Sequence, residues 1–198
     1  MKFPTSKSGF TLTELVVSIA IISVIATILL GSRNQYSERL ILKNETYNSI
    51  LYIRQAQVYS LGVKASGSPA TFNTSYGIYF EISYPNQFIF FTDENADGKF
   101  QSTEANEIIL LKNGITIQKL CLYLPPGTEE CYPPGGGLRK VAVTFRRPNS
   151  SAKVLGLNSA NNVISALDPP ALVYFISKSG LSSSVKVDST GVIAVLGI

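Results

Sequence analysis

The sequence predicts an α+β chain in which a long N-terminal helix packs on an antiparallel, two-sheet β head, and three observations lead there. Phe10 to Leu30 is an apolar run of twenty-one residues with Glu14 as its single charge. After it no proline occurs until Pro69, so a helix can run on to about Leu61, where Gly62 offers a C-terminal stop. From Thr71 onward the pattern changes to short β-rich runs separated by Gly, Pro, Asn and Ser.

Composition narrows the function classes. A chain of 198 residues suits one domain, or one domain with an appendage, and can bury a real core. Its hydrophobic fraction of 45% is high beside a charged fraction of 15%, and the mean hydropathy is +0.19. The net charge of +4 is modest, whereas a DNA-binding domain usually carries a stronger basic bias. There is no histidine, which removes Ser-His-Asp and Cys-His nucleophile systems, histidine bases and most zinc sites. No catalytic residues are assigned, and an enzyme is not expected.

The first element is the apolar helix. At roughly 1.5 Å per residue, Phe10 to Leu30 is about 31 Å long, the thickness of a bilayer's hydrocarbon core. A secretory signal peptide needs a shorter apolar region and a small-residue cleavage site, and "GSRNQYSERL" has no such site. A plain anchor fits the length but leaves Glu14 unexplained. A carboxylate costs about 2.5–3.5 kcal/mol at the bilayer centre, less near an end, so a partner is expected. Lys2 and Lys7 precede the run and Arg33, Arg39 and Lys43 follow it, so the positive-inside rule does not fix the orientation.

"KSG" followed by "FTLTELVVSIAIISVIATILL" resembles the class III signal of type IV pilins and type II secretion pseudopilins. Gly9, Phe10, Thr11, Leu12, Glu14 and Leu15 carry the likeness. The resemblance implies that a prepilin peptidase cuts after Gly9, that the new amine of Phe10 is methylated, and that Glu14 pairs with the Phe10 amine of a neighbouring subunit. Two charges that are expensive alone become tolerable as a pair, so burial rewards correct register between subunits. The implied partners are that peptidase, other pilins or pseudopilins in a filament, an inner-membrane assembly platform and membrane lipid. The implied location is the cytoplasmic (inner) membrane, crossed once, with the leader inside and residues 32–198 outside. The implied organisation is a leader over 1–9, a transmembrane and assembly half over 10–30, an amphipathic half over 31–61 and a β-rich head over 62–198.

The second half of the helix is expected to lay one face on the head. Tyr36, Leu40, Tyr47, Ile50, Leu51, Arg54, Val58 and Leu61 recur mostly at three- and four-residue steps and define that face. Residue 31 is Gly, where many major pilins carry Pro, so any local unwinding would rest on glycine's weak helix propensity.

The strands follow as "YGIYFEIS", "QFIFFT", "EIILLK", "ITIQKLCLYL", "KVAVTFRR", "ALVYFIS" and "SSVKVDSTGVIAVL". Several alternate apolar with polar residues, as half-buried antiparallel strands do. The last contains a hairpin turning at Asp188 to Gly191. The strand "VAVTFRRPNS" and the late "GLSSSVKVDSTGVIAV" hairpin are most similar to the GspH/FimT group of minor pseudopilins and minor pilins. A major pilin or a G-type pseudopilin is the nearest competitor.

Three groups of head residues carry candidate chemistry. In "DENADGKFQSTE", Asp93, Asn95 and Asp97 stand at positions 1, 3 and 5 of a twelve-residue calcium loop, Gly98 at 6, the Lys99 carbonyl at 7 and Glu104 at 12. The flanks look like strands, so this is an EF-like loop rather than an EF-hand, and the same residues also suit a plain hairpin turn. No cofactor is required, and calcium, if bound, would be structural. Cys121 and Cys131 are the only cysteines; outside the membrane they suit a disulfide worth about 2.7 kcal/mol by chain entropy, the alternative being two free thiols. Arg139, Lys140, Arg146, Arg147 and Lys153 form a basic cluster. Some FimT-like pilins bind DNA in natural transformation, which makes a DNA-binding minor pilin the alternative, against a solvated surface of ordinary charges. The leading expectation is a structural subunit, a minor pilin or pseudopilin, of a type IV pilus or type II secretion pseudopilus.

Overall fold

The computed structural model describes residues 9–62, 74–124, 128–131, 137–148, 150–164 and 168–197. The expected leader over 1–9, including Lys2 and Lys7, therefore lies outside the described residues except for Gly9. One helix, α1, spans Leu12–Leu61 and passes through Gly31 without a break. Among the described residues ten strands follow: β1 Ser75–Glu81, β2 Gln87–Asp93, β3 Ala105–Leu110, β4 Thr116–Leu124, β5 Thr128–Cys131, β6 Lys140–Phe145, β7 Ala152–Leu157, β8 Ala171–Ile176, β9 Ser182–Val187 and β10 Ile193–Leu196. A short 3-10 turn, Ser102–Glu104, precedes β3. The α+β class expected from the sequence is what the chain adopts.

The chain divides into two compact units, Met1–Ser37 and Glu38–Ile198. Within the first, Leu12–Leu30 has a mean hydropathy of 2.4 and none of it is buried. Its start is fixed locally: Thr11 Oγ1 accepts the Glu14 N–H at 3.2 Å, satisfying one of the free amides of the first turn. Its hydroxyls are satisfied within the helix as well. Ser18, Ser23 and Thr27 each donate to the carbonyl four residues back, at 2.7–2.8 Å, so none needs water.

The second unit contains the end of α1 and two five-stranded sheets, every pair antiparallel. One sheet has the order β3-β2-β1-β6-β7 and the other β10-β9-β8-β4-β5. Alternation builds the core between them: Ile78 and Phe80 of β1, Phe88 and Phe90 of β2 and Val141 and Val143 of β6 face in with Leu120, Leu122, Val173, Phe175 and Val185 of the other sheet. Where the sheets meet at Gly156, a Cβ would lie 2.2 Å from Leu122 Cδ1 and 2.9 Å from Leu138 Cδ1, so any larger residue would push these core side chains aside. Residues of the opposite parity, Tyr79, Phe91, Ala142 and Leu155, make a second cluster on the outer face of the first sheet, covered by Phe100. Burial on both faces explains the continuous apolar run "FIFF".

The helix meets this core with a different face from the one expected. Leu42, Thr46, Ser49, Ile53, Ala56 and Ser60 are buried, with Gln57 beside them, whereas Tyr36, Leu40, Tyr47, Leu51, Val58 and Leu61 are exposed. Of the expected apolar face only Ile50 packs partly against the core. At 3.6 residues per turn the two sets centre on different sides of the helix, about 130° apart. Small polar residues can face inward because their hydrogen bonds are made. Thr46 donates to the Leu42 carbonyl, Ser49 to the Thr46 carbonyl, Ser60 accepts the Tyr76 N–H, and Gln57 Nε2 donates to the carbonyls of Ser150 and Gly191.

Two strands have no counterpart among the expected runs, β5 and β7. The expected final hairpin is present. Gly191 N–H donates to the Asp188 carbonyl at 2.8 Å and Gly191 has φ 84°, and a Cβ there would lie 2.0 Å from the Ser150 carbonyl oxygen, so conformation and space both call for glycine there.

Candidate functional site

In the first unit Gly9 and Phe10 are exposed and precede the helix, so the bond after Gly9 is accessible. Glu14 is also exposed and sits three residues after the Thr11 cap, in the first turn of α1. A carboxylate there faces the positive end of the helix macrodipole, a local stabilisation of about 0.3–1 kcal/mol. The sequence reading missed Thr11 as the cap. The signal was legible as Thr-x-x-Glu ahead of an apolar run.

In the second unit the loop after β2 is closely ordered. Asp93 Oδ2 accepts the Gly98 N–H at 3.0 Å, Asn95 Oδ1 accepts the Asp97 N–H at 3.0 Å, and Asp97 Oδ1 accepts the Lys99 N–H at 2.7 Å. Glu104 reaches back from the 3-10 turn: its Oε1 accepts the Glu94 N–H at 3.2 Å and its Oε2 the Gln101 N–H at 2.9 Å. Ala96 and Gly98 both take positive φ, 61° and 82°, which winds the chain tightly between the acidic residues. Burial pushes the Asp93 carboxyl above the usual carboxylate range; Asp97 adds to the rise, while the Gly98 and Ala96 amides and the Lys153 ammonium oppose it. Glu104 is pushed up by burial too, with the Gln101 and Glu94 amides opposing and Asp93 and Asp97 adding.

The loop is fastened to the sheet at both ends of its second half. Lys153 Nζ, from β7, donates to the Asp97 carbonyl at 2.7 Å. Phe100 stacks on Tyr79 at 4.7 Å between ring centroids and meets Phe91 edge-on at 5.5 Å. Beside it lies a cleft of about 330 Å³, walled by Asp93, Arg146, Lys153 and Asp168 among others, so its charge is mixed.

Cys121 and Cys131 face each other across the β4–β5 pair and are joined as a disulfide with the α-carbons 4.0 Å apart. Glu129 lies close to both sulfurs, but thiols bonded to each other offer no thiolate to a metal.

The basic residues fall into two groups at opposite ends of β6. Arg139 and Lys140 lie at its start, and Lys140 Nζ donates to Asn161 Oδ1 at 2.5 Å. Arg146 and Arg147 follow its end, with Lys153 opposite Thr144 on β7. Arg147 donates to the Gly62 carbonyl and Lys153 to that of Asp97. One strand of about 20 Å thus separates the groups.

The chain thus joins an exposed apolar N-terminal helical stretch, with the Gly9–Phe10 bond accessible just ahead of it, to an antiparallel two-sheet head. Residues 4–30 match a family model described as the prokaryotic N-terminal methylation motif, which supports a type IV pilin-like protein. That motif implies processing by a peptidase and assembly with other pilins, and it is compatible with membrane anchoring. No curated protein and no solved structure matches the chain.

Proposed function

We propose that this chain is a minor pilin or pseudopilin of the GspH/FimT group. It is made as a precursor in the cytoplasmic membrane, cut after Gly9 by a prepilin peptidase, methylated at Phe10, and built into a type IV pilus or type II secretion pseudopilus. The motif over residues 4–30 is the observation that carries the reading. The helix supports it in two further ways. Leu12–Leu30 is unburied and long enough to cross a bilayer, and from Leu40 to Leu61 an apolar stripe faces away from the head. A helix apolar all round calls for lipid or other helices as its surroundings, and the stripe offers a second helix-packing face. Glu14 then serves as partner to the methylated amine of a neighbouring Phe10.

The test is intact mass and N-terminal sequence after co-expression with a prepilin peptidase, beside a Gly9→Ala chain. The reading predicts a mature chain beginning with methylated Phe10, lost in the variant. A chain that keeps Met1 to Gly9 in the presence of active peptidase would overturn it.

A further inference from the structure

Asp93 ends β2 with 2% of its surface exposed, yet its Oδ1 accepts no hydrogen bond. Because Oδ2 of the same carboxylate holds the Gly98 N–H, the group is turned into the ring of residues 93–98 rather than toward bulk water. A buried carboxylate oxygen without a donor is costly, so a positive charge or a proton belongs against it. The Lys153 ammonium eases this charge only from a distance: its hydrogen bond goes to the Asp97 carbonyl and none reaches Oδ1. The same turn carries further oxygens: Asp97 holds a second carboxylate and Asn95 an amide oxygen, each bonded to a donor within the loop. Glu104, 6% exposed, closes the loop from the far side. Its two oxygens each accept one backbone amide and keep a further lone pair.

We propose that residues 93–104 bind one calcium ion, with Asp93 Oδ1, Asn95, Asp97 and Glu104 as side-chain ligands and the Lys99 carbonyl as a fifth, so that the ion ties the end of β2 to the turn before β3. An all-oxygen set with several carboxylates selects a hard divalent cation over the softer transition metals. A loop of this length that wraps the ion with many ligands suits calcium better than magnesium, which keeps a tight octahedron and most of its water. The site is independent of the filament reading, because every ligand and both fastenings, Lys153 and Phe100, belong to the head.

The experiment is calcium titration of the full chain in a non-ionic detergent after EDTA treatment, by calorimetry and thermal unfolding, with magnesium as the control. One calcium per chain is expected, with a dissociation constant in the range of about 10⁻⁴ to 10⁻³ M typical of extracellular modules. At a tenfold excess over that constant Tm should rise by about 3–6 °C, and equal magnesium should give less than half of the rise. Asp97→Asn keeps the oxygen that accepts the Lys99 amide while removing a charge at an exposed position, and should weaken calcium binding about tenfold or more with the fold intact. Asp93→Asn should abolish the calcium response. The proposal is overturned if the wild-type chain shows no calcium-dependent heat or Tm shift up to about 10 mM. It is equally overturned if calcium binds with unchanged affinity in Asp97→Asn.

Discussion

Over Leu12–Leu30 the helix is apolar on every side and none of it is buried, whereas over residues 38–61 it buries one face and exposes the other. The buried face mixes Leu42, Ile53 and Ala56 with Thr46, Ser49, Gln57 and Ser60, and the exposed face carries Leu40, Tyr47, Leu51, Val58 and Leu61. The lesson is that apolar content and burial within the chain part company along α1. In the first stretch the apolar side chains find no cover within the chain, which fits the membrane and filament surroundings proposed for it. In the second, hydrogen-bonded hydroxyls, one amide and the Glu45 carboxylate are buried while the apolar stripe is exposed.

Substitutions along the helix sharpen that contrast, and the largest effect falls on the core contact. Ile53 is fully buried, so Ile53→Ala should cost the head about 2–5 kcal/mol in urea unfolding, while Ile22→Ala in the span should leave it within about 0.5 kcal/mol. Equal effects would erase the distinction between the stretches. Next comes the disulfide, which staples β4 to β5 away from the helix: Cys121→Ser with Cys131→Ser should lower head stability by about 2–3 kcal/mol, read as a fall in Tm. Gln57→Ala removes the amide that bridges the helix to Ser150 and Gly191, leaving two carbonyls without their donor. A loss of about 1–3 kcal/mol is expected, and hydrogen exchange should rise first around the Asp188–Gly191 turn. The smallest effect on stability belongs to the outward stripe. Leu51→Ser and Val58→Ser should each change head unfolding by no more than about 0.5 kcal/mol, yet lower recovery in sheared filaments.

Legibility in the sequence divides along the same line. The apolar stretch Leu12–Leu30, the apolar, β-rich runs of β1, β2, β6 and β9 and the Asp188–Gly191 hairpin were readable because each pattern is strictly local. The buried face of α1 was not readable. Periodicity finds apolar residues, and here the apolar stripe points outward while Thr46, Ser49 and Ser60 point in, their cost removed by hydrogen bonds that sequence does not display. Strand β5, "TEEC", is too polar to stand out, and β7, "AKVLGL", is short and interrupted by the Gly156 that close sheet packing demands. In the loop the positions from Asp93 to Glu104 were legible from spacing, but the anchoring of that loop by Lys153, 56 residues on, and by Phe100 against Tyr79 needed the tertiary structure.

The most direct test of the account is the accessibility of residue 51 in the two settings. Leu51→Cys should be alkylated readily in the detergent-solubilised monomer and at least about tenfold more slowly in assembled filaments, because the stripe is then covered by neighbouring helices. Alkylation at the same rate in both would contradict the account, since the outward face would then have no partner in the filament.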